Sequence, residues 1–193
     1  MANVGGGSLR AALRAWTGRH WGLEPIRLLA QRHCLGVTNA YADPERLGVD
    51  RWLALVAAHR AYSGPLCLLD SGSAITIDGL AADGQHLGGL ILPGLRLMRE
   101  ALLQGTSLER TEAASIHTLL ARDTATAIAA AAPQACVALV ERVCHDIEGS
   151  CGSRPRLVVT GGDAPLLMPL WSLPVHQEPD LVMQGLMLIV TES

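Results

Sequence analysis

The sequence predicts an α/β fold built as one complete lobe preceded by an incomplete one. Three observations carry that prediction. The hydrophobic period changes from helical to strand-like at Ser63-Gly64-Pro65. Three short strand patterns joined by two tight turns follow at once. After residue 93, helical patterns alternate with short apolar strands, the signature of a sheet covered by helices.

Residues 8–20 (SLRAALRAWTGRH) alternate apolar and basic positions at helical spacing, with Ser8 as the expected N-cap. Residues 26–30 (IRLLA) read as a short strand. Residues 50–62 (DRWLALVAAHRAY) read as a helix with Trp52, Leu53, Val56 and Ala57 on one face. The Ser63-Gly64-Pro65 break is taken as a boundary between a 1–62 unit and a 63–193 unit. PLCLLD (65–70) is a continuous apolar run ending in an acid, Ser71-Gly72-Ser73 is a tight turn, and AITIDGL (74–80) alternates. Asp83-Gly84 is a hairpin signal ahead of QHLGGLIL (85–92), so the three strands form an antiparallel meander. Pro93 is placed at the first turn of a helix over 93–104. Residues 123–149 form an Ala-rich helical segment that Pro133 is expected to interrupt or restart. RLVVT (156–160) is a buried strand, Gly161-Gly162-Asp163 a loop, and a helix begins near Asp163. A short strand at 173–176 and an apolar helix over 179–190, with Pro179 in its first turn, complete the chain. From residue 65 the order strand, strand, strand, helix, helix, strand, helix, strand, helix resembles one complete half of an actin-like, ribonuclease H-like ATPase fold. Residues 1–62, with an additional strand expected at residues 1–4, lack the meander that would open the other half.

Composition narrows the chemistry. Of the 193 residues, 49% are hydrophobic and 17% charged, too apolar for a disordered chain. A chain of this length buries roughly 70% of the surface its unfolded form exposes. The net charge of −3 gives no reason to expect nucleic acid as the main partner. All 15 basic residues are Arg, and the absence of Lys excludes a Walker A loop, a Schiff-base lysine and a Ser–Lys dyad. There is no Phe, so the core must be built from aliphatic residues and Met. Cys34, Cys67, Cys136, Cys144 and Cys151 are odd in number and show no CxxC pair, the pattern of a reduced, cytoplasmic protein. His145 near Cys144 and Cys151 lacks the tight paired spacing of structural zinc. The N-terminus shows no signal-peptide run. No stretch approaches the roughly 20 uninterrupted apolar residues of a membrane span.

Three segments carry residue types suited to phosphoryl transfer. Gly48-Val49-Asp50-Arg51 sets a carboxylate and a guanidinium at a helix start. An attacking hydroxyl needs a carboxylate to take its proton, and Arg can grip an anionic group with two parallel bonds. On spacing alone, a helix cap and a surface arginine explain this pair better. Asp70-Ser71-Gly72-Ser73-Ala74 puts a carboxylate, hydroxyls and amides on a turn that can bind phosphate or a cation, and an ordinary hairpin accounts for it equally. Thr160-Gly161-Gly162-Asp163 lets a nucleotide approach the backbone closely, although it is not GxGxxG and also reads as a structural turn.

Taken together, NAYADPERLGVDRWLALVAAHR (39–60), LLDSGSAITIDGLAADGQHLGGLILPGLRLMREALLQGT (68–106), DTATAIAAA (123–131), VVTGGDA (158–164) and EPDLVMQGLMLI (178–189) resemble the type III pantothenate kinases of the actin-like superfamily. The resemblance implies ATP-dependent phosphorylation of pantothenate to 4'-phosphopantothenate, which opens coenzyme A biosynthesis. It implies Asp50 as general base and Tyr41, Gly48, Val49, Asp50, Arg51 and Thr124 as pantothenate contacts, with Arg51 on the carboxylate. Ser73, Gly161 and Gly162 are implied on the nucleotide side. Asp70 is implied as ligand of a monovalent cation, potassium or ammonium, with magnesium accompanying ATP. A homodimer with pantothenate at the subunit interface is implied too. The family opens with a strand, a DxGNT-type phosphate loop and a Lys that this chain does not show. A block of the first lobe is therefore expected to be missing and activity to be weak or absent. The alternative is a non-catalytic actin-like binding or accessory regulatory protein.

Overall fold

The computed structural model describes residues 6–108 and 115–192. The strand expected at residues 1–4 lies outside them. The chain runs through α1 (Gly6–Trp21), β1 (His33–Cys34), β2 (Val37–Thr38), α2 (Val49–Ala61), β3 (Leu66–Ser71), β4 (Ala74–Leu80) and β5 (His86–Pro93). It continues through α3 (Leu95–Gly105), α4 (Thr124–Cys151), β6 (Arg156–Thr160), α5 (Ala164–Leu167), β7 (Val175–Gln177) and α6 (Leu181–Glu192). Five strands form one mixed sheet in the order β5-β4-β3-β6-β7. β3, β4 and β5 make the antiparallel meander, while β6 and β7 add in parallel beside β3.

Side chains alternate across the sheet, so β3 and β6 feed two cores. Leu66, Leu68, Leu80 and Val158 pack with α2 and α6 on one face. Cys67, Leu69, Ile75, Ile77, Leu157 and Val159 pack with α4 and Leu95 of α3 on the other. A sheet covered on both faces wants apolar residues at every position, which is why PLCLL and LVV read as unbroken runs. Residues on both sides of the 63–65 turn share the first cluster. α2 and α6 touch closely because Gly185 lies against the Leu53 carbonyl, with no room for a Cβ.

Several local expectations need correction. Residues 26–30 form no strand; Ile26 is 78% exposed, and the pairing falls instead to the short β1–β2 ladder. A strand is defined by a ladder with a neighbouring strand, and residues 26–30 belong to none of the ladders among the described residues. α1 starts at Gly6, which puts Ser8 inside its first turn rather than at the cap. Pro93 is the last residue of β5, and Gly94 caps α3. α4 runs unbroken through Pro133. A mid-helix proline costs roughly 3 kcal/mol, and burial of Ile128, Cys136, Val137, Val140, Cys144 and Ile147 on the same helix outweighs it. The last strand sits at 175–177, and α6 begins two residues after Pro179. α4 is also long and apolar enough to cross a membrane by length and composition, although it has no uninterrupted apolar run of that length. Its apolar stripe is packed against the sheet.

Candidate active site

The C-terminal ends of the parallel strands β3 and β6 lie side by side, paired as far as Asp70 and Thr160. Crevices outside such strand ends are where α/β sheets bind ligands. The peptide N–H of Asp163 donates to the Ser71 carbonyl at 2.9 Å, tying the loop after β6 to the end of β3. Gly161 adopts φ +95° and presses on the Ser71 carbonyl and the Asp70 carboxylate, so this position has no space for a side chain. Gly162 beside it is open and exposed. Ser73 is exposed on the β3–β4 turn, and its carbonyl accepts from Gly94 N–H at 3.2 Å. Asp70, Ser73, Gly161 and Gly162 are thus brought into one neighbourhood.

α2 delivers the second group. Gly48 caps the helix, and Asp50 stands in its first turn. The Asp50 Oδ1 accepts the Arg51 N–H at 2.8 Å and folds back over Gly48, whose lack of a Cβ makes room for it. The other Asp50 oxygen makes no hydrogen bond within the described residues. Burial, and after it the charge on Asp50, push the Asp70 carboxyl above its ordinary value. These two half-buried carboxylates therefore feel each other across the gap between α2 and β3. Asp70 has no cationic partner among the described residues.

Arg51 is not the surface residue that spacing alone suggests. It is 5% exposed. Its Nε donates to Asp78 Oδ2 at 2.8 Å and its Nη2 to Asp78 Oδ1 at 2.6 Å, a bidentate pair. Its Nη1 donates to the Tyr41 hydroxyl at 3.0 Å. Asp78 Oδ1 also receives His86 Nε2 at 2.9 Å. Burial works to lower the Arg51 pKa, but Asp78 and then Tyr41 raise it further. Burial likewise works to raise Asp78, but His86 and Arg51 hold it below the ordinary carboxylate range.

Tyr41 is itself held from behind. Buried Asn39 accepts the Tyr41 N–H at 3.0 Å and donates to the Gln31 and Pro44 carbonyls. Arg32 donates to the Tyr41 carbonyl at 2.7 Å and to that of Ala42 at 2.6 Å. Thr124 is placed elsewhere: exposed, in the first turn of α4, whose Asp123 cap accepts the Thr126 N–H at 2.8 Å. α4 covers the face of the sheet opposite α2, and Thr124 makes no hydrogen bond to Tyr41 or Asp50.

Asp78, His86, Asn39 and Arg32 were not singled out from the sequence. Asp78 shares its strand face with Leu80, and a lone acid at an inward position of AITIDGL was the available signal. No group of three His, Cys, Asp or Glu side chains converges as a metal cluster among the described residues.

A family model described as type III pantothenate kinase matches residues 1–146. The type III pantothenate kinase of Nitrosococcus oceani is 42% identical over 199 residues, covering 100% of this chain and 75% of the relative. That of Halorhodospira halophila is 40% identical over 173 residues, covering 88% of this chain and 66% of the relative. That of Azoarcus sp. is 40% identical over 192 residues, covering 97% and 70%. Among solved structures, a conserved Campylobacter jejuni protein assigned to the Baf family of transcriptional activators aligns with a TM-score of 0.62 at 22% identity. The alignment covers 94% of this chain and 78% of that one, and at this identity it speaks to the fold alone.

Proposed function

This chain belongs to the type III pantothenate kinase family, and we propose that it transfers the γ-phosphoryl group of ATP to a hydroxyl of pantothenate, giving 4'-phosphopantothenate and ADP. The observation that carries the reading is a pair of half-buried carboxylates, Asp50 in the first turn of α2 and Asp70 at the C-terminal end of β3 against the Gly161 loop. In this reading the pantothenate hydroxyl attacks the γ-phosphorus as the bond to the β-phosphate oxygen breaks. The proton passes to the Asp50 oxygen that the Arg51 N–H leaves free. Tyr41, Gly48, Val49, Arg51 and Thr124 contact pantothenate, with Arg51 directed at its carboxylate. Ser73, Gly161 and Gly162 contact the nucleotide, and magnesium arrives with ATP.

A half-buried carboxylate with a like-charged neighbour and no cationic partner fits a monovalent cation. Asp70 would hold potassium or ammonium with one carboxylate, and the ion would offset phosphate charge. Because α4 lies on the far face of the sheet from α2, Thr124 is assigned to the site of a second copy, in line with a homodimer. The two-lobe reading keeps residues 63–193 as the complete second lobe and residues 1–62 as part of the first. Five free cysteines, four of them buried, suit a cytoplasmic enzyme.

The test is a phosphotransfer assay with labelled ATP and pantothenate. Against a wild-type rate that is itself expected to be weak, Asp50→Asn is expected to lower kcat further, by roughly 10²–10⁴-fold, while pantothenate still binds in a calorimetric titration. An unchanged rate would remove the general-base assignment.

A further inference from the structure

The Arg51–Asp78 pair is joined by a third group whose position needs an explanation. His86 opens β5, is 1% exposed, and reaches Asp78 from the neighbouring strand. The Ala40 N–H points at its Nδ1 at 3.4 Å. A peptide N–H can only donate, so Nδ1 is the acceptor and the ring proton sits on Nε2, aimed at Asp78. The ring of His86 also lies nearly parallel to that of Tyr41, at an interplanar angle of 12°.

β5 is shaped around this cluster. Gly89 is the register partner of Asp78, and a Cβ there would run into the Ile77 carbonyl, Asp78 Oδ1 and Arg51 Nη2. The guanidinium is therefore enclosed by β4, β5 and the Tyr41 hydroxyl. Three of its five N–H bonds go to Asp78 and Tyr41, and the other two have no acceptor among the described residues.

We propose that Asp78 and His86 are positioning residues that fix the plane of the Arg51 guanidinium, so that its two unspent N–H bonds meet the substrate carboxylate in one orientation. The inference rests on reading this pocket as the pantothenate site. Asp78 cancels the charge of Arg51, which makes recognition depend on directed N–H bonds more than on net attraction. Partners that orient a ligating group from behind typically set its affinity by roughly 10–100-fold in metal sites, and that is the scale expected for a guanidinium held from behind by Asp78 and His86. Gly89 is the vacancy that lets the three groups assemble.

The test is a calorimetric titration of the protein with two ligands: pantothenate and its analogue in which the carboxylate is replaced by a hydroxymethyl group. Wild type is expected to prefer pantothenate. His86→Leu should lose roughly tenfold or more of its pantothenate affinity, with the analogue's affinity nearly unchanged, so the preference collapses. His86→Gln keeps an N–H for Asp78 and an acceptor for Ala40, and should restore most of the preference. Asp78→Asn is expected to behave like His86→Leu if it folds, and the two His86 variants decide the matter if it does not. Equal weakening of both ligands in His86→Leu would show a merely structural role and overturn the inference, as would an unchanged preference. A wild type that binds neither ligand would overturn the functional reading and this inference together.

Discussion

Asp70 pays for its position at every pH where it is ionised. Burial and Asp50 raise its folded-state pKa above the unfolded value, so the native state holds its proton more tightly. Its destabilising effect is absent at low pH and grows as pH rises through the window between those two values. Asp70→Asn is therefore expected to raise the melting temperature near neutral pH in cation-free buffer and to abolish any stabilisation by added potassium. A variant that melts lower and still responds to potassium would refute the cation assignment. Asp78 has the opposite sign. Its folded pKa is depressed by His86 and Arg51, so its contribution is present above the ordinary carboxylate range and is lost as pH falls through the depressed value. Replacing it with Asn leaves Arg51 buried without a counter-charge, at a cost of about 3–5 kcal/mol. Chemical denaturation at neutral pH should show that loss, and the gap between variant and wild type should narrow in acid.

At the scale of elements, the same two glycines that make contacts possible make them fragile. Gly185 lets α6 rest on the Leu53 carbonyl of α2. Gly185→Ala is expected to force the helices apart and to destabilise by roughly 1–3 kcal/mol, read as a lower denaturation midpoint with an unchanged slope. Gly161 combines φ +95° with contact on Asp70 and Ser71. Gly161→Ala should weaken nucleotide binding in a titration more than pantothenate binding, because the strain falls on the Asp70 side of the crevice. The elements that were legible in the sequence have local causes. The meander is written in two tight turns and a period of two, and β3, β4 and β5 lie within a residue or two of their expected bounds. Residues 26–30 and Pro133 misled because their fate is tertiary: one lacks a partner strand, and the other is carried by the burial of its neighbours. Asp50 and Asp70 could be named because each sits beside a turn or helix start with a recognisable pattern. The Arg51–Asp78–His86 set could not, since its members lie 27 and 8 positions apart and meet only once β4 and β5 pair beneath α2.

Across the whole molecule, the sheet is the element that makes the two cores one. β3 sends Leu66 and Leu68 to the α2–α6 core and Cys67 and Leu69 to the α4 core. Neither layer can open without exposing the inner strands, so both should unfold together despite the break at 63–65. α1 is different: none of its described residues is buried, and Leu9, Leu13, Trp16 and Trp21 are exposed. An isolated helix of that length is marginal in water. Native-state hydrogen exchange tests both statements at once. Amides of α2, β3 and β6 are expected to exchange with one common opening free energy, the global one, while those of α1 exchange far faster. Separate opening energies for α2 and β3 would mean that residues before and after the 63–65 turn fold as independent units. In that case the gap between Asp50 and Asp70 would be a hinge rather than a fixed distance, and the general-base geometry would have to be assembled by substrate instead of waiting for it.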